Sequence, residues 1–502
     1  MKKIRFLSIL LCLCLMISVI TLPTAAETEA ATEASVSTEA SAATDETDAA
    51  SAVSTKEIPG LPTPTESNLG PEYTVKAKAA LLLELNSNTI IYQQNMNERL
   101  YPASLTKVMT CLLALEHGNL DDVLTVSETA LSGLDIYGSS ADLVVGEEIN
   151  LRDLLYCIML SSANEACNVV AEYVSGSIDD FVALMNQKAE ELGCTDTHFA
   201  NTNGLHDDNH YSSAYDLCQI TRKALQNNSF WEISTATTYT VPATNLSDER
   251  RLVTTNYLVS TDTVSDYYYA RAEGIKTGFT TPAGRCLIST ATDGDLRFLS
   301  VVLGADTGQL SNGGVWYNSF SETKKLFQYG FENFAYAMVL TNLKNLDEVP
   351  VKFSAGRGSV PIKPSSDVYA LLPKEYNPDL VSNEYVLNRP ELQAHLDAGE
   401  IVGTVTVYYD GKPIGSTTVE TLTAVERSEL AYGLDQTKVF VQQYWWALLL
   451  LGGVIVLLLL VLIVKAVIYG HKRRVAMRKR RPGGQTNRSQ SSVQNHSRSQ
   501  RP

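Results

Sequence analysis

Pro102-Ala103-Ser104-Leu105-Thr106-Lys107-Val108-Met109-Thr110 is the stretch around which this chain is organised. Read as the first turns of a helix, it puts Ser104 and Lys107, three residues apart, on one face. Pro102 suits a helix start, because its missing N–H would be unpaired there anyway. Val108, Met109, Leu112, Leu113 and Leu115 are apolar enough to bury the helix that follows. A serine hydroxyl is a weak nucleophile until something takes its proton. A lysine can do that once desolvation or a neighbouring cation lowers its pKa. The partial positive charge at a helix start favours the alkoxide that forms. Alone the signal is weak: Ser-x-x-Lys arises by chance about once or twice in a chain this long and serine-rich, on an ordinary exposed helix.

On the N-terminal side of that stretch, Ala79–Leu85 and Thr89–Tyr92 read as two strands around the polar turn Asn86-Ser87-Asn88. On its C-terminal side, Asn150 has the character of an N-cap for a helix bearing Leu151, Leu154, Leu155, Ile158 and Met159. Ser177 and Asp180 have capping-box spacing for a further helix that stops at Gly193. After Gly274 the pattern changes to β-rich runs, Cys286–Thr292 and Arg297–Gly304, joined by the hairpin signal Asp293-Gly294. Helices in the middle and strands at both ends predict an α/β domain over 72–335. Short strands broken by turn residues, including Asp410-Gly411, predict a small all-β domain over 337–427.

The flanks read differently. Met1–Ala26 has a cationic start, an apolar run and small residues at its end, the pattern of a cleaved secretory signal. Residues 27–71 are Ala, Thr, Ser and Glu followed by several prolines, a composition expected for a disordered acidic tether. A juxtamembrane stalk is expected over 428–443. Trp445–Val464 carries no charge and is long enough to cross a bilayer, giving a predicted transmembrane helix over 445–468. Tyr444, Trp445, Trp446 and Tyr469 fit interfacial belts, and the basic cluster Lys472–Arg481 marks residues 469–502 as a cytoplasmic tail. The expected placement is therefore a bacterial cell membrane protein with one span, its catalytic domain extracytoplasmic and its C-terminus cytoplasmic.

Formal net charge is −16; setting aside the three cations among the first five residues and the eleven from Lys465 onward takes the body to about −30. So acidic a body argues against nucleic acid as a partner. Of eight cysteines, Cys12 and Cys14 lie in the leader. The other six (Cys111, Cys157, Cys167, Cys194, Cys218, Cys286) have no C-x-x-C spacing, so no metal site is expected and buried free thiols are preferred over disulfides.

Two further triplets lift Ser104 above chance. Ser162-Ala163-Asn164 offers a hydroxyl and an amide just beyond an apolar helix. Lys276-Thr277-Gly278 offers a cation, a hydroxyl and a glycine that lets backbone approach closely. In the order Ser-x-x-Lys, Ser-x-Asn, Lys-Thr-Gly, the sequence resembles the low-molecular-mass penicillin-binding proteins that act as serine D-alanyl-D-alanine carboxypeptidases. Asn203-Gly204-Leu205, Gly274-Ile275-Lys276-Thr277-Gly278-Phe279-Thr280, Ala283-Gly284, Tyr385-Val386-Leu387-Asn388 and Gly399–Gly403 also match, so the likeness covers roughly residues 75–425.

The resemblance implies a penicillin-binding, β-lactamase-like transpeptidase fold, a sheet flanked by a helical cluster, ahead of the small β domain. It implies peptidoglycan stem peptides ending in D-Ala-D-Ala as substrate, β-lactams as covalent inhibitors, the bacterial cytoplasmic membrane as anchor and no cofactor. Ser104 would be the acyl-enzyme nucleophile and Lys107 its general base, kept partly neutral by the charge of Lys276. Ser162 would relay a proton to the leaving amine and Asn164 would position the substrate amide. Lys276, Thr277 and Gly278 would bind substrate, and the backbone N–H groups of Ser104 and Phe279 would hold the oxyanion.

The chain departs from the pattern at Ala163, where relatives have Gly or Asp, and at Thr255-Asn256-Tyr257, where some place a carboxylate-binding arginine. Arg251, Arg271 and Arg285 are the substitutes considered. Three rivals were weighed. A metallopeptidase built on His206-Asp207-Asp208-Asn209-His210 lacks a clear third ligand. A β-lactamase would need a deacylating Glu between Asn164 and Lys276, and none is convincing. A penicillin sensor would need a cytoplasmic output domain that the short polar tail after Lys465 does not provide, and a wall-binding scaffold would keep its role in a Ser104→Ala variant.

Overall fold

The computed structural model describes residues 65–66, 74–134, 138–260, 266–309 and 314–478. The expected signal, most of the tether and the end of the basic tail lie outside the described residues.

The first domain is a three-layer sandwich. Its strands are β1 (Ala79–Glu84), β2 (Thr89–Gln94), β3 (Ala272–Thr280), β4 (Gly284–Asp293) and β5 (Leu296–Ala305), in the order β2-β1-β5-β4-β3. Thr65–Glu66 pairs parallel to β2 at the outer edge; β1–β5 pair antiparallel. β1 and β5 are apolar runs rather than alternating ones because both faces of the sheet are covered. Ala79, Leu81, Leu83, Leu299, Val301 and Leu303 pack into the larger core with the helices. Ala80, Leu82, Phe298 and Val302 pack beneath Phe320, Leu326, Phe327 and Phe331 of the last helix, Asn318–Asn333. The β4–β5 turn sits at Gly294 with φ +59, as the Asp-Gly signal predicts.

The central helices are α1 (Lys107–His117), α2 (Leu151–Tyr156), α3 (Asn164–Ser175), α4 (Ile178–Glu191) and α5 (Ala214–Ala224). The Asn150 side chain accepts from Asp153 N, and the Ser177 side chain from Asp180 N, so both predicted N-caps are made. All six cysteines of this region are buried free thiols.

The second domain is a six-stranded sheet in the order Val381–Leu387, Ile401–Tyr409, Lys412–Thr421, Ser359–Pro364, Asp347–Lys352, Leu392–Gln393. Its small core is Val349, Val351, Val360, Ile362, Val405 and Val419. Asp410 and Gly411 both have positive φ (48° and 74°), the backbone of a two-residue hairpin turn. The strand Phe334–Leu340, which pairs with Val368–Pro373, returns to the first domain through Tyr336, whose hydroxyl donates to Glu84 at 2.7 Å. A helix from Glu429 to Arg478 follows, non-helical only at Tyr444 (φ −114°, ψ 15°), and its apolar part is long enough to cross a membrane.

Candidate active site

The nucleophile turn differs from an ordinary helix start. Ala103–Thr106 is a 3-10 turn, and the α-helix begins at Lys107. In 3-10 geometry residues three apart eclipse one another, so Ser104 and Lys107 stack more directly than α spacing predicts. Ala103 enters the turn with φ +48°, a strained conformation for a residue with a Cβ. Lys107 Nζ lies 2.9 Å from Ser104 Oγ, 2.8 Å from Asn164 Oδ1 and 2.6 Å from the Asn203 carbonyl. A neutral amine has two N–H groups and one lone pair. Two acceptor-only oxygens, from Asn164 and Asn203, take the hydrogens and leave the lone pair facing the Ser104 hydroxyl.

The electrostatics suit that state. Lys107 is 0 % exposed and Lys276 1 % exposed. Burial lowers Lys107 to about 8. Burial, with a smaller contribution from the charge on Lys107, lowers Lys276 to about 7. Burial is the larger cause for both amines, and the repulsion between their charges belongs to the pair.

Ser162 and Asn164 reach the site through a distorted helix. After α2, Cys157–Ser161 forms a π turn, and Ser162 closes it in the left-handed region (φ 63°, ψ 29°). That reversal costs about 1–2 kcal/mol for a residue with a Cβ and aims α3 at the nucleophile turn. Ser162 is buried two residues before Asn164, and its hydroxyl hydrogen-bonds to no group among the described residues. The Asn164 N–H donates to Ser139 O, and the Glu165 carboxylate accepts from Ser140 Oγ and Ala141 N, pinning the adjacent loop.

Lys276, Thr277 and Gly278 lie on β3, the edge of the sheet, with its outer side open beside the nucleophile turn. A Cβ on Gly278 would stand 3.1 Å from Pro102 O, 3.2 Å from Ala103 Cβ and 3.2 Å from Ser104 N, so the glycine permits the strand's close approach. Lys276 Nζ donates to Thr277 O at 3.1 Å rather than to Ser104 or Ser162. Thr277 Oγ1 meets Thr255 Oγ1 at 2.5 Å.

Two contributors escape the sequence reading. The Asn203 carbonyl is backbone, and no side-chain pattern announces it. Its position is set by Asn201 Oδ1, which accepts from Gly204 N at 2.7 Å. His210, weighed above as a metal ligand, is buried instead. Ala200 N donates to its Nδ1, so the proton sits on Nε2, which donates to Thr106 Oγ1 at 2.7 Å; Thr106 in turn donates to Ala103 O at 2.9 Å. Burial lowers His210 to about 4, keeping the imidazole neutral and this chain of bonds directed at the strained residue before the nucleophile. His206, at the other end of that stretch, turns to the Tyr101 ring, centroids 4.7 Å apart.

Comparison with known proteins agrees with this arrangement. Residues 65–307 match the D-alanyl-D-alanine carboxypeptidase family, and residues 344–427 match the penicillin-binding protein 5 C-terminal domain. D-alanyl-D-alanine carboxypeptidase DacF of Bacillus subtilis is 31% identical over 353 residues, covering 69% of this chain and 85% of the relative. DacA of Escherichia coli K12 is 31% identical over 367 residues, covering 71% and 83%. The crystal structure of penicillin binding protein 5 from Haemophilus influenzae superposes with a TM-score of 0.54 at 29% identity, covering 71% of this chain and 99% of that one.

Proposed function

Given that the chain belongs to the D-alanyl-D-alanine carboxypeptidase family, we propose that it removes the terminal D-Ala of peptidoglycan stem peptides through an acyl-enzyme on Ser104. The observation that carries this reading is the Lys107 amine, buried, lowered to about 8 and 2.9 Å from Ser104 Oγ. Lys107 takes the hydroxyl proton as Ser104 Oγ bonds to the penultimate D-Ala carbonyl carbon. The backbone N–H groups of Ser104 and Phe279 receive the oxyanion. As the C–N bond breaks, Ser162 passes a proton originating on Lys107 to the leaving amine, and D-Ala departs. Asn164 holds the substrate amide, and Lys276 with Thr277 faces its terminal carboxylate. Water then attacks the ester, returning the proton to Ser104 and freeing the shortened peptide.

A β-lactam reacts by the same first step, but its leaving nitrogen stays tethered to the acyl group. The test is mass spectrometry of penicillin-treated protein, with a single adduct expected on the peptide bearing Ser104 and none in Ser104→Ala. An adduct on another residue overturns the assignment.

The domain limits, 72–335 for the catalytic part and 337–427 for the β domain, belong to the same proposal, as does anchorage by the C-terminal helix with the catalytic domain outside. Support for the orientation comes from Lys472, Arg473 and Arg474 at the far end of the apolar span. The helix leaves the β domain at Glu429, where Tyr432 packs on Phe353 with centroids 5.5 Å apart. Deleting everything from Tyr444 should therefore move the protein to the soluble fraction with D-Ala release intact. A truncation that sediments with membranes, or that loses hydrolysis, refutes the tether reading.

A further inference from the structure

We propose that Arg285 joins Lys276 and Thr277 in recognising the substrate's terminal carboxylate, an inference that rests on the carboxypeptidase reading and gives that site a cation that stays charged at every working pH. Of the arginines considered, Arg271 is committed elsewhere: it pairs with Asp293 at 2.7 Å and lies over the Phe331 ring. Arg251 opposes Thr240 on a separate two-stranded ribbon, Thr238–Val241 with Arg250–Val253, and has a partner of its own. Arg285 is different. Its guanidinium is clamped between the rings of Phe279 and Tyr317, with its carbon 4.0 Å and 4.3 Å from their centroids. Its Nε is buried without a hydrogen-bond partner, and no carboxylate pairs with it among the described residues. A cation rigidly held by two rings, in a body this acidic, is an anion site waiting for its anion.

The register places that site beside the reacting centre. Phe279 stands opposite Arg285, and Thr277 opposite Leu287. Side chains two apart on a strand share a face, so Thr277 and Arg285 are diagonal neighbours on one face of the β3–β4 ribbon. Lys276, opposite Ile288, faces the helical cluster instead. The Thr277 hydroxyl is drawn to the open edge by Thr255. A peptide lying along that edge with its scissile carbonyl at Ser104 carries its terminal carboxylate past Thr277 on the side where Arg285 is held. The guanidinium offers a flat, always charged donor fork suited to a carboxylate. Half-exposed Phe279 forms the outer wall of this subsite.

The experiment compares hydrolysis of an acyl-D-Ala-D-Ala peptide with that of the same peptide ending in D-alaninamide, which lacks the carboxylate. In the full-length wild type the free acid should be the better substrate. Arg285→Ala should lower the acid-to-amide ratio of kcat/KM about 100-fold, the loss of one charge-assisted contact, with Arg285→Lys intermediate. Thermal unfolding of both variants separates a folding defect from lost recognition, since the ratio is read within one protein. An unchanged ratio in Arg285→Ala overturns the proposal, as does a wild type that cleaves both peptides equally while still acylating Ser104. A wild type that acylates Ser104 with neither peptide would instead overturn the carboxypeptidase mechanism beneath it.

Discussion

Lys107→Met lowers kcat/KM for D-Ala release by about 10³-fold or more and slows penicillin acylation comparably, while the protein remains folded. The general base is lost, which alone is worth about 10²–10⁴-fold, and among the described residues the Ser104 hydroxyl hydrogen-bonds to Lys107 and to no other proton acceptor. The fold should survive because methionine fills much of the same buried volume and removes an amine whose burial already disfavours its charge. The wild-type pH profile follows from the two amines. With values of about 8 for Lys107 and about 7 for Lys276, the pair holds two protons below that range, none above it and one between.

Only the singly protonated pair with the proton on Lys276, the less populated of its two arrangements by these values, offers both a free base for Ser104 and a cation for the substrate. At lower pH the lone pair on Lys107 is occupied, and at higher pH the cation is gone. The kcat/KM profile should be a bell centred between pH 7 and 8, and residual Lys107→Met activity should lack its acid limb. A wild-type acid limb below pH 6 would point to a carboxylate or an ordinary histidine as base and would remove Lys107 from that role.

How much of this was legible beforehand depends on which part of the residue does the chemistry. Ser104, Lys107 and Asn164 act through side chains at short, fixed spacings on helices, so the sequence displays them, and the structure brings all three within 3 Å contacts. The β4–β5 hairpin was equally plain, since Asp293-Gly294 allows few backbone paths other than a tight turn. Hidden were groups whose role is set by backbone or by burial. The Asn203 carbonyl has no residue-type signature, and the π turn before Ser162 occupies residues that read as a continuous apolar helix. His210 enters only as a rival metal ligand that is set aside, and its actual place, a buried neutral donor to Thr106, depends on burial that its neighbours in sequence do not display. For the lysines a motif supplies neighbours but not the degree of burial.

Gly204→Ala should cost at least about 3 kcal/mol of stability and about 100-fold in activity, though it adds one methyl group 100 residues from the nucleophile in sequence. Gly204 has φ +86°, where an alanine costs about 1–2 kcal/mol from backbone strain alone. The larger part is steric. Its Cβ would stand 1.8 Å from the Ala103 carbonyl oxygen, 2.3 Å from the Ala103 carbonyl carbon and 2.9 Å from Thr106 Oγ1. No rotamer relieves contact with backbone, so the 201–205 loop must separate from the nucleophile turn.

Separation breaks the 2.6 Å bond from Lys107 Nζ to the neighbouring Asn203 carbonyl, and Lys107 loses one of the two acceptors that orient its lone pair. Gly176→Ala is the internal comparison, because Gly176 has φ +80° but nothing within 4 Å of its Cβ. That variant should show the backbone cost and no loss of rate. Urea unfolding and kcat/KM of the two proteins thus divide strain from contact. Equal stability and equal rates in both would mean that the 201–205 loop does not bear on the nucleophile turn, and the two-acceptor arrangement that orients Lys107 would fall with it.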